Sequence, residues 1–210
     1  MNKKELAIVL SKTKENPEPK IWLEQYTIPS ELAAEIINIA YLNGDIEKKI
    51  VFDFGCGTGR LAIGASLMGA KKVIGIDIDK QLIKIARENV KLVERLIGKR
   101  LTNIKFMCKD VARWRMKGDT VVQNPPFGIK SSGLDLLFLR KAIESAKKVY
   151  SLHRGPEARK FLIKFIESVG GEVEAIHKFK FEIPYMFKFH KKPKVKIDVD
   201  LYVIRGSHEA

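Results

Sequence analysis

Ile50-Val51-Phe52-Asp53-Phe54-Gly55-Cys56-Gly57-Thr58-Gly59 is a short apolar run that breaks into three glycines separated by single residues. The apolar run predicts a buried strand over 50–54. The glycines predict a tight turn whose backbone can approach a ligand closely. Arg60–Met68, rich in small residues, predicts a helix opened by that turn. Val73–Ile76 predicts a second strand. It is closed by Asp77, about 20 residues past the loop, where an acid can hold both hydroxyls of a ribose. Strand, glycine turn, helix and a second strand ending in an acid begin a nucleotide-binding α/β sheet.

The pattern continues on both sides. Lys80–Ile97 predicts an amphipathic helix with Leu82, Ile85, Ala86, Val90, Val93 and Ile97 inward. Ile104–Met107 and Thr120–Val122 predict a third and fourth strand. A helix over Leu134–Ala146, a strand over Val149–Leu152 and a helix over Glu157–Val169 follow, ended by Gly170-Gly171. Glu172–Ile183 and Val195–Arg205 then alternate with no helix between them, which predicts an antiparallel hairpin with Phe179 and Phe181 on its core face. Upstream, helices are predicted over 2–14 and from a capping Ser30 to Leu42. The expected fold is α/β and Rossmann-like. It has a seven-stranded, mostly parallel sheet, helices on both faces and an antiparallel C-terminal hairpin. One domain is expected over 1–210, with a helical cap to 45, a cofactor core over 46–170 and the hairpin over 171–206.

Composition bounds the function. With 210 residues, 45% hydrophobic and 30% charged, the chain is neither disordered nor collagenous. It holds no apolar run long enough for a membrane span. The start of the chain leads into no apolar block, so a cytoplasmic setting is expected. Two distant cysteines, Cys56 and Cys108, offer no zinc spacing and no disulfide framework, and no metal site is expected. Cys56 reads as a small buried filler. The net charge of +14 favours a polyanionic partner, nucleic acid above all.

Gly57-x-Gly59-x-x-Ala62 also satisfies a dinucleotide fingerprint, so the loop alone leaves NAD open. Two features weigh against it. Asp53, two residues before the first glycine, is misplaced beside a pyrophosphate, which needs amides and a helix N-terminus. It suits a ligand with an α-amino group and a sulfonium. Gln123-Asn124-Pro125-Pro126-Phe127-Gly128 closes the fourth strand, and ligands of open α/β sheets bind at such strand ends.

These motifs together resemble the S-adenosylmethionine-dependent methyltransferases, and the Asn124–Phe127 form resembles their amino-methylating branch. Leu23–Tyr26, Asp53–Gly59, Gly75–Asp79, Asn124–Lys130, Val149–His153 and Tyr185–Lys192 fall in the order seen in the methyltransferase-like protein five family. That family methylates an adenine amino group in small-subunit ribosomal RNA. The resemblance runs from Leu23 to the C-terminus. It implies S-adenosyl-L-methionine as cofactor and ribosomal RNA as partner. It also implies a small zinc-binding activator subunit at the strand-three edge, where the short apolar Ile104–Met107 fits β-addition. A glutamine side-chain amide in a translation release factor is the rival acceptor, although that branch commonly shows Tyr in place of Phe127. A non-catalytic RNA-binding factor with a relic fold is disfavoured by the intact Asp53 loop and Asn124–Phe127.

The implied cofactor contacts are Asp53 at the amino end, the turn Gly55, Gly57 and Gly59 with Thr58, Asp77 at the ribose, Ile78 beside the adenine ring and Asp110 at the adenine amino group. Gln25 and Thr27 correspond to a segment that closes over the methionine end. Asn124 and Pro125 would accept the two amino hydrogens of the acceptor. Each precedes a proline, Pro125 or Pro126, and is held extended. Phe127 would stack on the base. The side-chain roles of Thr58 and Arg60 stay open, and His153 could approach the site. Lys178–Lys196 carries seven lysines against one acid, with aromatic residues between them. Within it Lys188, Phe189, His190, Lys191 and Lys192 are the expected RNA contacts.

Overall fold

The structure is a computed structural model that describes residues 1–20, 25, 27–127, 133–184 and 194–207. Its elements are α1 (Lys3–Ser11), α2 (Ser30–Leu42), β1 (Ile50–Phe54), α3 (Arg60–Leu67), β2 (Lys72–Asp77), α4 (Lys80–Ile97) and β3 (Ile104–Cys108). There follow a 3₁₀ turn (Val111–Arg113), β4 (Gly118–Gln123), α5 (Leu134–Ser145), β5 (Ala146–Arg154), α6 (Arg159–Ser168), β6 (Glu172–Pro184) and β7 (Lys194–Arg205). The strands form one sheet in the order β3-β2-β1-β4-β5-β7-β6. The first five are parallel and β7 and β6 run antiparallel. Seven strands, mostly parallel with an antiparallel hairpin, is the expected architecture.

Alternation along the strands divides the core into two layers. Val51, Val73, Val122, Tyr150, Leu152 and Leu201 face α1 to α4. Phe52, Phe54, Ile74, Ile76, Val121 and Val149 face α5, α6 and the 3₁₀ turn. Trp114 meets Phe52 and Phe54 edge-on, at 4.9 and 5.6 Å between centroids. Such pairs add to the burial of the rings themselves.

Register positions the site. Phe54 of β1 lies level with Ile76 of β2 and with Gln123 of β4. Gly55, Asp77 and Asn124 are each the next residue, so all three stand at one level at the carboxyl ends of their strands. β1 is also where the strand order reverses, with β2 on one side and β4 on the other. A crevice at such a reversal is the usual ligand site of an open α/β sheet.

Several boundaries differ from the sequence reading. The residue in the N-cap position of α2 is Pro29; Ser30 is already helical and its hydroxyl donates to Glu31 Oε2 at 3.0 Å. Pro29 presets the backbone before the first turn, so no side-chain cap forms there. α1 carries the cap instead. Asn2 Oδ1 accepts from Glu5 N–H and Glu5 Oε2 accepts from Asn2 N–H, and the helix stops at Ser11 rather than 14. α6 starts two residues later than expected because Pro156 O accepts from Arg159 N–H in a preceding turn. On α4 the fully inward positions include Ile83 and Asn89, while Ile85, Val90 and Ile97 are half-buried. The β6–β7 ladder runs out to Pro184 opposite Lys194. Phe179 packs on the first core layer, as expected. The side chain of Phe181 and the contacts expected at Lys188, Phe189, His190, Lys191 and Lys192 lie outside the described residues.

Candidate active site

The crevice at the carboxyl ends of β1, β2 and β4 is lined by Gln25, Thr27, Asp53, Gly55, Gly57, Thr58, Asp77, Ile78, Asp110, Asn124 and Pro126, among others. Residues expected for cofactor and for acceptor therefore meet in one pocket. Gly59, Pro125 and Phe127 are not in its lining. Gly59 is the N-cap residue of α3, with φ at 90°. Phe127 borders an adjacent hollow with His153.

The glycine loop is tied by its own backbone. Cys56 N–H donates to Ile76 O at 2.9 Å, and Gly59 N–H to Cys56 O at 2.8 Å. Gly57 adopts φ +52°, and a Cβ built there meets nothing within 4 Å. Its lack of a side chain thus serves the backbone turn and leaves open space on the pocket side. Gly57 N–H donates to Asp77 Oδ2 and Asp79 N–H donates to Asp77 Oδ1, both at 2.9 Å. These bonds orient the Asp77 carboxylate at the pocket wall.

Asp53 is the electrostatic centre. It is 1% exposed. Its Oδ2 accepts from Ala62 N–H at 2.9 Å, and its Oδ1 has no partner among the described residues. Burial pushes its pKa well above the carboxylate range; the Ala62 bond opposes this and the charge of Asp77 adds to it. A buried carboxylate facing a second acid is costly until a cation arrives. A ligand carrying an ammonium and a sulfonium supplies that charge, so the residues fit S-adenosylmethionine. Ile78, 63% exposed at the rim, offers an apolar surface to a flat ring. Asp110 Oδ1 caps the 3₁₀ turn by accepting from Ala112 N–H at 2.9 Å.

Residues 13–20, 25, 27 and 28 are tied along one side of the pocket by side chains that the sequence reading left without a role. Arg60, 4% exposed, donates to Thr13 Oγ1 at 2.9 Å, Ile28 O at 2.7 Å and Glu15 Oε1 at 3.0 Å. Asn89 Oδ1 accepts from Lys14 N–H at 2.7 Å, and its Nδ2 donates to Lys14 O and Thr58 O. Asp79 Oδ2 accepts from Lys20 Nζ at 2.7 Å and from Gln25 Nε2 at 3.0 Å. Burial pushes the Asp79 carboxyl up, but these bonds and the Lys20 charge outweigh it and hold it at about 2. Gln25 is thus a fastener of the segment, with its carboxamide oxygen taken by Lys20 N–H and Asn16 Nδ2. Signals for two of these were present. Arg60 places a cation at the positive end of a helix, which needs compensation. Asn89 falls on the apolar stripe 82, 86, 89, 93 of α4.

This geometry agrees with relatives of the chain. A family model described as ribosomal protein L11 methyltransferase (PrmA) matches residues 35–124. The rRNA N(6)-adenosine-methyltransferase METTL5 of Danio rerio is 39% identical over 207 residues, covering 95% of this chain and 97% of its own. The chain belongs to the METTL5 family. The Drosophila melanogaster member is 35% identical, covering 88% of this chain and 87% of its own. A crystal structure of a candidate RNA methyltransferase from Pyrococcus horikoshii superposes with a TM-score of 0.89 at 41% identity, covering 99% of each chain. As a METTL5-family chain it is an S-adenosylmethionine-dependent methyltransferase, and the acidic pocket suits that donor. Among the described residues, no helix is long and apolar enough to cross a membrane.

Proposed function

We propose that this chain methylates the exocyclic amino group of an adenosine in small-subunit ribosomal RNA, with Asn124 and Pro125 holding that amino group. One observation carries the reading. The register that brings Gly55 and Asp77 to one level brings Asn124 there too, so the acceptor motif opens into the acidic pocket.

When bound, S-adenosylmethionine supplies an electrophilic methyl group on a cationic sulfur. Asp53 faces its amino end, and the relief of that buried carboxylate favours binding. Asp77, oriented by the Gly57 and Asp79 N–H groups, would accept from the ribose hydroxyls. Ile78 lies along the adenine ring, and Asp110 accepts from its amino group. Thr27 and Gln25 sit in the strap that excludes water from the methionine end.

The acceptor nitrogen is a poor nucleophile because its lone pair is delocalised into the ring. The Asn124 side-chain oxygen and the Pro125 carbonyl accept its two hydrogens. This would turn the lone pair out of the ring plane and stabilise positive charge as the N–C bond forms and the S–C bond breaks, its electron pair staying on sulfur as a neutral thioether. Pro125 and Pro126 hold the residues before them extended, so both acceptors are oriented before substrate arrives. Phe127 stacks on the extruded base. The nitrogen sheds its proton to solvent, and no strong base is required.

The lysine-rich segment with Lys188, Phe189, His190, Lys191 and Lys192 supports phosphate and base contacts by its composition. β3 is the terminal strand of the sheet. Its outer edge suits strand addition by a small zinc-binding activator subunit. Purification from the native host should recover such a zinc-containing partner; recovery of the monomer alone counts against it.

Incubation with methyl-labelled S-adenosylmethionine and unmodified small-subunit RNA, then nucleoside mass spectrometry, tests the reading. Label in 6-methyladenosine is expected. Label in a release-factor glutamine and none in RNA replaces it.

A further inference from the structure

Behind Asn124 the sheet carries a buried polar chain that no step above uses. Gln123 ends β4, Ser151 and His153 lie on β5, and Asp200 lies on β7. Register sets Gln123 opposite Ser151 and His153 opposite Asp200. Gln123 Nε2 donates to Ser151 Oγ at 2.8 Å, and Ser151 Oγ lies 2.7 Å from His153 Nε2. Arg159 on α6 grips Asp200 with two bonds of 2.8 and 3.0 Å. Gln123 and Ser151 are fully buried, and His153 is 2% exposed.

The placement of this chain matters. The preceding residues on the same face, Val121 and Val149, are apolar and fully buried. The face turns polar only at the strand ends beside Asn124. Well-packed apolar residues would serve stability there at least as well as a buried polar network. Ser151 has one hydroxyl proton. Gln123 donates to Oγ, and the Oγ–Nε2 contact runs in the direction that the His153 tautomer sets. Burial keeps the ring neutral, lowering it to about 4 against the opposing charge of Asp200. The ring also borders the hollow shared with Phe127 and stands edge-on to Tyr202.

We infer that Ser151 and His153 are positioning residues for methyl transfer: through Gln123 they hold the end of β4, and so the directions of the Asn124 side chain and the Pro125 carbonyl. The inference rests on the acceptor role given to Asn124 and Pro125 above. Gln123 Oε1 already lacks a partner among the described residues. Loss of the Ser151 hydroxyl would leave the whole carboxamide unpaired and pull the strand end toward water. A displacement of about 1 Å at the reacting groups can cost about a hundredfold in rate.

The test uses the full chain with Ser151→Ala, His153→Gln, the double variant and Ser151→Thr. Single-turnover rates at saturating cofactor and acceptor should fall about ten- to a hundredfold in the first two. Cofactor Kd and acceptor KM should stay within about threefold, and the double variant should be no worse than the poorer single one. Ser151→Thr, which keeps the hydroxyl, should recover most of the rate. Rates retained in both single variants, or a parallel loss of rate and cofactor affinity, would overturn the inference. Wild-type label in adenosine scores the proposed acceptor separately; variant-to-wild-type ratios are taken on whichever acceptor the wild-type protein labels. The contact itself is read without turnover. The Gln123 side-chain amide protons should shift and exchange faster with solvent in Ser151→Ala, and an unmoved signal contradicts the chain.

Discussion

Two buried aspartates, Asp53 beside the glycine loop and Asp200 behind Asn124, sit in opposite circumstances. Asp200 is met by the Arg159 guanidinium at 2.8 and 3.0 Å. Asp53 takes one backbone N–H and leaves its second oxygen without a partner among the described residues. Asp200 is a closed structural pair. Asp53 is an open one, and in the function proposed above its counter-charge comes with the ligand. The contrast extends to how each half is built. Asp53 and Ala62 are 9 positions apart, and Gly57 and Asp77 are 20 apart. Gln123 and Ser151 are 28 apart, and Arg159 and Asp200 are 41 apart. The glycine loop and its two acids are thus built from nearby positions, whereas the polar chain behind Asn124 depends on the register of three strands.

The sharpest way to break this division is Asn124→Ala. The transfer rate should fall about a thousandfold, the scale of losing a preorganised stabilising group. Cofactor affinity by calorimetry should stay within a few-fold, because that half is built separately. Retained activity would remove Asn124 from its role.

Asp53→Asn tests the other half. Cofactor binding should weaken about thirtyfold or more, because the neutral amide no longer matches the cationic ligand. The ligand-free protein should melt at the same or a higher temperature, since a buried acid whose ionised form is disfavoured gives way to a neutral amide. Asp200→Asn should do the reverse and lower the melting temperature with little change in cofactor Kd. If both variants behave alike, the contrast between the two aspartates fails.

Arg60→Met should cost about 2–3 kcal/mol in denaturant unfolding, because Thr13 and Ile28 oxygens lose a buried donor. Amides of residues 13–20 should exchange faster, and cofactor should bind less tightly. Stability without any change in exchange would show that the strap is held by other contacts.

The smallest effect is in acid. His153 is lowered from 6.5 to about 4 in the folded chain. The unfolded chain takes up a proton that the folded one refuses, so stability falls as pH drops from about 6.5 toward 4. His153→Gln should flatten that part of the stability curve. Asp79 acts lower. Held at about 2 against an ordinary 3.8, it contributes stability above pH about 4 that is lost as pH falls toward 2. An unchanged curve in His153→Gln would place the ring in water.

Much of the fold was legible because its signals are periodic and local. α4 spans the expected Lys80–Ile97, and β1 the expected Ile50–Phe54. Boundaries slipped where a local rule met a stronger neighbour. Ser30 looks like a cap, but Pro29 presets the entry to α2. Glu157 looks like a helix start, but the turn at Pro156 delays α6 to Arg159. Gln25 lines the pocket as expected, and its carboxamide also bonds Asp79, Lys20 and Asn16, which no local pattern shows. The lone polar residues gave the weakest signals. Arg60, Asn89 and His153 each stand in an apolar pattern, and the pattern tells that a partner exists without telling which.

By itself, the sequence determined the strand–glycine turn–helix order, the acid at the end of β2 and the Asn124–Phe127 motif, and hence a mostly parallel sheet suited to a cationic nucleoside. Backbone sterics and alternation act over a few residues and can be read in order. Only the tertiary structure decided that Gly55, Asp77 and Asn124 stand at one level, that Arg60 and Asn89 tie residues 13–15 and 28 beside the pocket, and that Ser151 and His153 stand behind Asn124. Those depend on strand register and on pairing between distant positions, where every buried polar group must find its partner across the fold.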